Sequence, residues 1–128
     1  MDTEYSNQLI EWAATSIASS VFVTYEQIKP YDAFGAMMVR NIAMRGCPLK
    51  SIQDFPDAKS VQARYVKLGY RHVQVRDMND VYYTFIDGED RRRAEKLELF
   101  DELEEWHLIQ GHYCLTMAVN DDEKEEDE

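Results

Sequence analysis

Residues 25 to 27, Tyr-Glu-Gln, stand at the end of the apolar run Val21 to Tyr25 and just before Pro30. Such a run reads as a strand, and in α/β sheets ligands gather in the crevice beyond the carboxyl ends of strands. Tyr25, Glu26 and Gln27 offer donors and an acceptor at that place, so they are candidate substrate-binding residues. A second reading has Glu26 or Gln27 tying down the loop that follows. Glu104 and His107 make a Glu-x-x-His pair on one helix face. Di-iron bundles use that spacing, but they need a second copy and two further glutamates. No second copy exists in this sequence, and no metal site is expected. His72 and His112 flank strands and are read as hydrogen-bonded structural residues. Cys47 and Cys114 form no C-x-x-C pair, so both are expected as reduced core thiols. Nothing in the pattern singles out a catalytic residue.

The five glycines are scattered singly, with no G-x-G, Walker loop, G-x-S-x-G or H-E-x-x-H. A nucleotide-type cofactor site needs a glycine-rich turn so that the backbone can approach the ligand. The net charge is −11, and residues 121–128 carry −6 of it as seven acids and one lysine. An acidic chain lacks the clustered Lys and Arg of a nucleic-acid surface. Arg91-Arg92-Arg93 is the local exception, read as a solvated or partner-facing patch. Neither a membrane-length apolar run nor a signal-peptide pattern is present at the start, so a soluble, cytoplasmic protein is expected.

The elements that must position these residues follow from periodicity. A helix is predicted from Thr3 to Ile17, with Leu9, Ile10, Ala13, Ala14 and Ile17 on one face and Asp2 or Thr3 as cap. Val21 to Tyr25 is predicted to be a central strand buried on both faces in a parallel sheet. Asp32 should cap a helix running to about Arg45, with Phe34, Met38 and Ile42 as its stripe. Asp57 to Leu68 is a third helix with Val61, Tyr65 and Leu68 inward. "RHVQVRD" alternates as a strand wetter on one side. Asn79 should cap a short helix over "DVYYTFI", Asp87-Gly88 should turn the chain, and a long helix should span Glu89 to Gln110. A strand from Tyr113 to Val119 ends a domain of residues 1–119, and residues 120–128 form an acidic tail too polar to repay the entropy of ordering. The order is α-β-α-α-β-α-α-β, a layered α/β domain.

Three segments, "VTYEQIKPYDAFGAMMVRNIAMRGCPL", "GYRHVQVRDMNDVY" and "EKLELFDELEEWHLIQGHYCLTMAV", resemble the carboxyl-terminal half of leucine carboxyl methyltransferases. The resemblance covers all but the acidic tail. It implies a partial Rossmann-like class I methyltransferase fold of three strands, two of them parallel and the last antiparallel between them. It implies S-adenosylmethionine as methyl donor and the carboxyl-terminal leucine of type 2A protein phosphatase catalytic subunits as substrate. It places the cofactor-binding half outside this sequence, so the chain alone is expected to be inactive and to bind no cofactor. Methylating a carboxylate needs little acid-base help, because the nucleophile is already an anion; positioning and exclusion of water carry the rate. A non-enzymatic phosphatase-binding module, or a relative of the tRNA wybutosine methyltransferases, is the alternative.

Overall fold

The computed structural model describes residues 1–121; residues 122–128, and with them most of the acidic tail, lie outside the described part. The elements in chain order are α1 (Thr3–Ser16), β1 (Ser20–Gln27), α2 (Ala33–Met44), α3 (Ala58–Lys67), β2 (His72–Asp77), α4 (Met78–Asp80), α5 (Gly88–Glu95), α6 (Leu103–Gln110) and β3 (Tyr113–Asn120). A π-helical turn, Val81–Phe85, continues α4.

The sheet order is β1-β3-β2, and β3 pairs antiparallel with both neighbours. Two strands that each oppose β3 run in the same sense, yet they never touch. No ladder among the described residues is parallel, which corrects the parallel-sheet setting expected for β1. Nor is β1 buried on both faces. Phe22 packs toward the core while Val21, Val23 and Tyr25 on the other face are each more than half exposed. The sequence conceals this alternation because both faces carry apolar residues. Asn120, assigned above to the tail, instead closes β3: it is buried, donates to the carbonyls of Ala14 and Gly69 and accepts from the Arg71 amide.

The core lies between one face of the sheet and helices α1 and α3. Ile10 of α1 and Val61 and Tyr65 of α3 meet Tyr70, Val75, Cys114 and Ala118. Each core face follows from periodicity, three to four residues on the helices and two on the strands. Leu9 and Ile17 stay exposed, so α1 buries a narrower stripe than predicted. Asp2 occupies the N-cap position of α1 without a side-chain capping bond, and Thr3 donates instead to Asp54 at 2.7 Å.

Asp32 caps α2 by accepting from the Gly35 amide at 2.6 Å, as its sequence position predicts. Asp57 caps α3 in a reciprocal box with Ser60, and Gly69, at φ +122°, ends that segment where a side chain would be strained. The cap before the π turn is Asp77, which accepts from the Asp80 amide, rather than Asn79. Asp87 caps α5 rather than merely turning the chain.

The long helix predicted over Glu89 to Gln110 is two helices, α5 and α6, separated by residues 96–102. Like charges explain the break. Glu98 would face Asp101 and Glu102, and Asp101 would face Glu104 and Glu105, at the three- and four-residue spacings where repulsion destabilises a helix. Restarting at Leu103 puts Glu104 and Glu105 in a first turn, where the helix dipole favours acids. Leu97 and Leu99, without a partner element, are exposed.

Candidate functional site

The carboxyl end of β1 opens on a cleft of 260 Å³. Its walls come from β1 (Tyr25, Glu26, Gln27), from the α2–α3 connection (Pro48 to Ile52, Phe55), from α3 (Val61, Arg64) and from the start of the chain (Met1, Ser6). All three residues singled out in the sequence therefore border one cavity, but they do not converge as a cluster. The pleat sends alternate side chains to opposite faces. Glu26 lies on the face of Phe22 and Thr24, toward the core, while Tyr25 and Gln27 lie on the other with Tyr113.

The Tyr25 ring stacks on Tyr113 at 5.0 Å, and partial burial, with Tyr113 beside it, raises its pKa. Gln27 Nε2 donates to the Tyr113 hydroxyl at 3.5 Å. Glu26 accepts from Thr24 Oγ1 at 3.1 Å, and Thr24 accepts in turn from the buried Tyr65 hydroxyl at 3.4 Å. The loop after β1 is held by backbone bonds, Ile28 N–H to His112 O and Lys29 N–H to Pro56 O. Glu26 and Gln27 thus bond strand neighbours rather than the loop.

Arg64 was not singled out in the sequence. Its relative exposure is 6%, its Nε donates to Asn7 Oδ1 at 2.7 Å, its Nη2 donates to Ser6 Oγ, and its guanidinium lies 4.4 Å over the Phe55 ring. A signal existed: Arg64 sits three residues after Val61 and four before Leu68, a charge within the apolar stripe of α3. Such a position on an inward face asks for a partner.

The remaining candidates are placed elsewhere. His112 is buried, with Nδ1 2.8 Å from the Leu108 carbonyl and Nε2 2.8 and 2.9 Å from the Asp32 carboxylate oxygens. The Gly35 amide, first, and then His112 hold the Asp32 carboxyl below the ordinary aspartate range. This is the structural role expected of His112; His72 is exposed on β2. His107 Nε2 meets the Tyr83 hydroxyl at 2.6 Å. Among the described residues no group of three or more His, Cys, Asp or Glu is arranged to hold a metal. Cys114 is buried, and burial, with Glu26 nearby, pushes its thiol up to about 12, which keeps it protonated. Cys47 is exposed, correcting its reading as a core thiol. No helix among the described residues is long and apolar enough to cross a membrane.

The cleft at the end of β1 has no glycine in its walls, so it lacks the close backbone approach that a bound S-adenosylmethionine asks for. A Cβ at Gly35 would collide with the Lys29 carbonyl, and one at Gly69 or Gly111 would crowd Ala14 or the His107 carbonyl, so these three glycines serve chain packing. The cleft at 260 Å³ is also smaller than the roughly 300–1,000 Å³ of sites for drug-sized molecules. It suits a residue-sized group.

No protein-family model matches the chain. Curated relatives do. A leucine carboxyl methyltransferase 1 homolog from Arabidopsis thaliana is 44% identical over 121 residues, which is 94% of this chain and 36% of the relative. Leucine carboxyl methyltransferase 1 of Schizosaccharomyces pombe is 35% identical over 94% of the chain and 39% of its own length. The human tRNA wybutosine-synthesizing protein 4 is 38% identical over 95% of the chain and 18% of its own length. The chain spans somewhat over a third of the two methyltransferases, less than the half implied above. Over nearly its whole length, the chain is a homologue of a segment of the leucine carboxyl methyltransferases.

Proposed function

We propose that the chain forms the substrate-side wall of a carboxyl methyltransferase site within a partial Rossmann-like methyltransferase fold. Its substrate in this reading is the carboxyl-terminal leucine of a type 2A phosphatase catalytic subunit, in the cytoplasm. The observation that carries the proposal is the cleft at the carboxyl end of β1, bordered by Tyr25, Glu26 and Gln27, in a chain whose relatives are named for leucine carboxyl methylation. The stacked Tyr25 and Tyr113 rings present an apolar surface beside polar groups, as a leucine side chain followed by a carboxylate would require. The methyl donor, S-adenosylmethionine, is held by residues other than those lining this cleft, and the isolated chain is inactive.

A second reading follows from the likeness to the human wybutosine-synthesizing protein, under which the substrate is a modified tRNA base. The acidic charge, −5 over residues 1–120, disfavours a polyanionic substrate. One experiment separates the two. The chain is exchanged for its matching segment in the Arabidopsis relative, and methyl transfer from S-adenosylmethionine is followed to a leucine-terminated phosphatase peptide and to wybutosine-precursor tRNA. Transfer to the peptide supports the proposal. Transfer to the tRNA alone, or a folded chimera inert toward both, overturns it.

A further inference from the structure

We propose that Arg64 is the anion receptor of the cleft and that it binds one carboxylate, that of a chain-terminal amino acid. This deepens the reading above and rests on it only for the identity of the ligand; the charge argument stands on the cleft alone.

A buried guanidinium normally comes with a counter-ion, because an unpaired charge away from water is costly. Arg64 is 94% buried, and no carboxylate among the described residues pairs with it. Its partners are neutral: an amide oxygen, a hydroxyl and the face of Phe55. They fix the plane of the guanidinium and engage only part of its donor fork, which matches a carboxylate in bidentate fashion. The group also lines the cleft rather than a closed core. Position, fixed orientation and unspent donors together describe a receptor whose anion comes from outside.

The walls select among anions. Glu26 borders the same cavity and repels negative charge, so a single charge shared over two oxygens is tolerated and a phosphate dianion is not. Lys50, the other basic side chain on the wall, is engaged with Asp2 at 3.1 Å. The volume of 260 Å³ admits one residue.

Calorimetry on the full chain tests the assignment with three probes: acetyl-leucine, its uncharged amide acetyl-leucinamide, and inorganic phosphate. Acetyl-leucine should bind about tenfold or more tighter than the amide, with phosphate the weaker anion. Arg64→Gln should erase the preference for acid over amide. Since Arg64 also joins α3 to α1, Glu26→Gln is the companion variant; it leaves Arg64 in place, and acetyl-leucine and phosphate should both then bind more tightly. Equal binding of acid and amide by the unaltered chain, or no gain in Glu26→Gln, overturns the proposal. If the acid is preferred while the chimeric enzyme transfers no methyl group, the receptor stands and the methyltransferase reading falls. An active chimera with no such preference removes Arg64 alone.

Discussion

Two buried basic side chains in this molecule are held in opposite ways. His112 sits between two acceptors, the Leu108 carbonyl and the Asp32 carboxylate, and its ring packs 4.5 Å from Phe34. Both ring nitrogens thus face oxygens that the fold itself supplies. Arg64 is buried nearly as well but has neutral partners and a cavity before it. One side chain is a clamp, complete as built, joining the cap of α2 to the start of β3. The other is complete only when something fills the cleft. Burial alone does not mark a functional group; burial with an unmatched charge does.

The comparison can be broken most forcefully at His112. His112→Ala removes a packed ring and orphans the Leu108 carbonyl, at a cost of about 2–4 kcal/mol measured by urea unfolding. Arg64→Met keeps much of the aliphatic stem and strands only neutral groups, so about 1–2 kcal/mol is expected in the same assay. A larger loss at Arg64 than at His112 would make Arg64 the structural residue and reverse the assignment.

The two capping aspartates sharpen the contrast at a smaller scale. Asparagine caps a helix about as well as aspartate. Asp57→Asn should therefore cost about 0.5 kcal/mol or less, whereas Asp32→Asn also alters the carboxylate contact with His112 and should lower the melting temperature further. Acid should show the same ranking. Both carboxyls are held below their ordinary value, chiefly by backbone amides at the caps. A group whose folded pKa is depressed contributes stability above its unfolded pKa of about 3.9, and that stability disappears as pH falls through the lower folded value. Unfolding followed from pH 5 downward should steepen below about pH 4, and Asp32→Asn should flatten that limb more than Asp57→Asn.

The helix caps were legible in the sequence, whereas the pairing of His112 with Asp32 and the receptor were not, for a physical reason. Caps are local: Asp32 before an apolar stripe and Asp57 three residues before Ser60 announce helix starts without tertiary information. The alternation of "RHVQVRD" and the Val61–Tyr65–Leu68 stripe are local as well. The bare face of β1 was hidden because Val21 and Val23 look the same whether covered or not. The break between α5 and α6 was visible in the spacing of the acids, but the apolar spacing of Leu99, Leu103 and Trp106 outweighed it. Tyr25, Glu26 and Gln27 were found as a string, while their division between two faces follows from the extension of β1 through Gln27. Arg64 needs Ser6 and Asn7 of α1 and Phe55 of the α2–α3 connection brought to it, and its only local trace is a charge on an inward face.

The central claim concerns which of the two side chains answers to a ligand. The chain, labelled with nitrogen-15 in arginine and histidine, can be titrated with acetyl-leucine while the side-chain N–H signals of both residues are followed by NMR. Arg64 should shift in a saturable manner, and His112, committed to Asp32, should stay still. Shifts at both residues, or at His112 alone, would contradict the account.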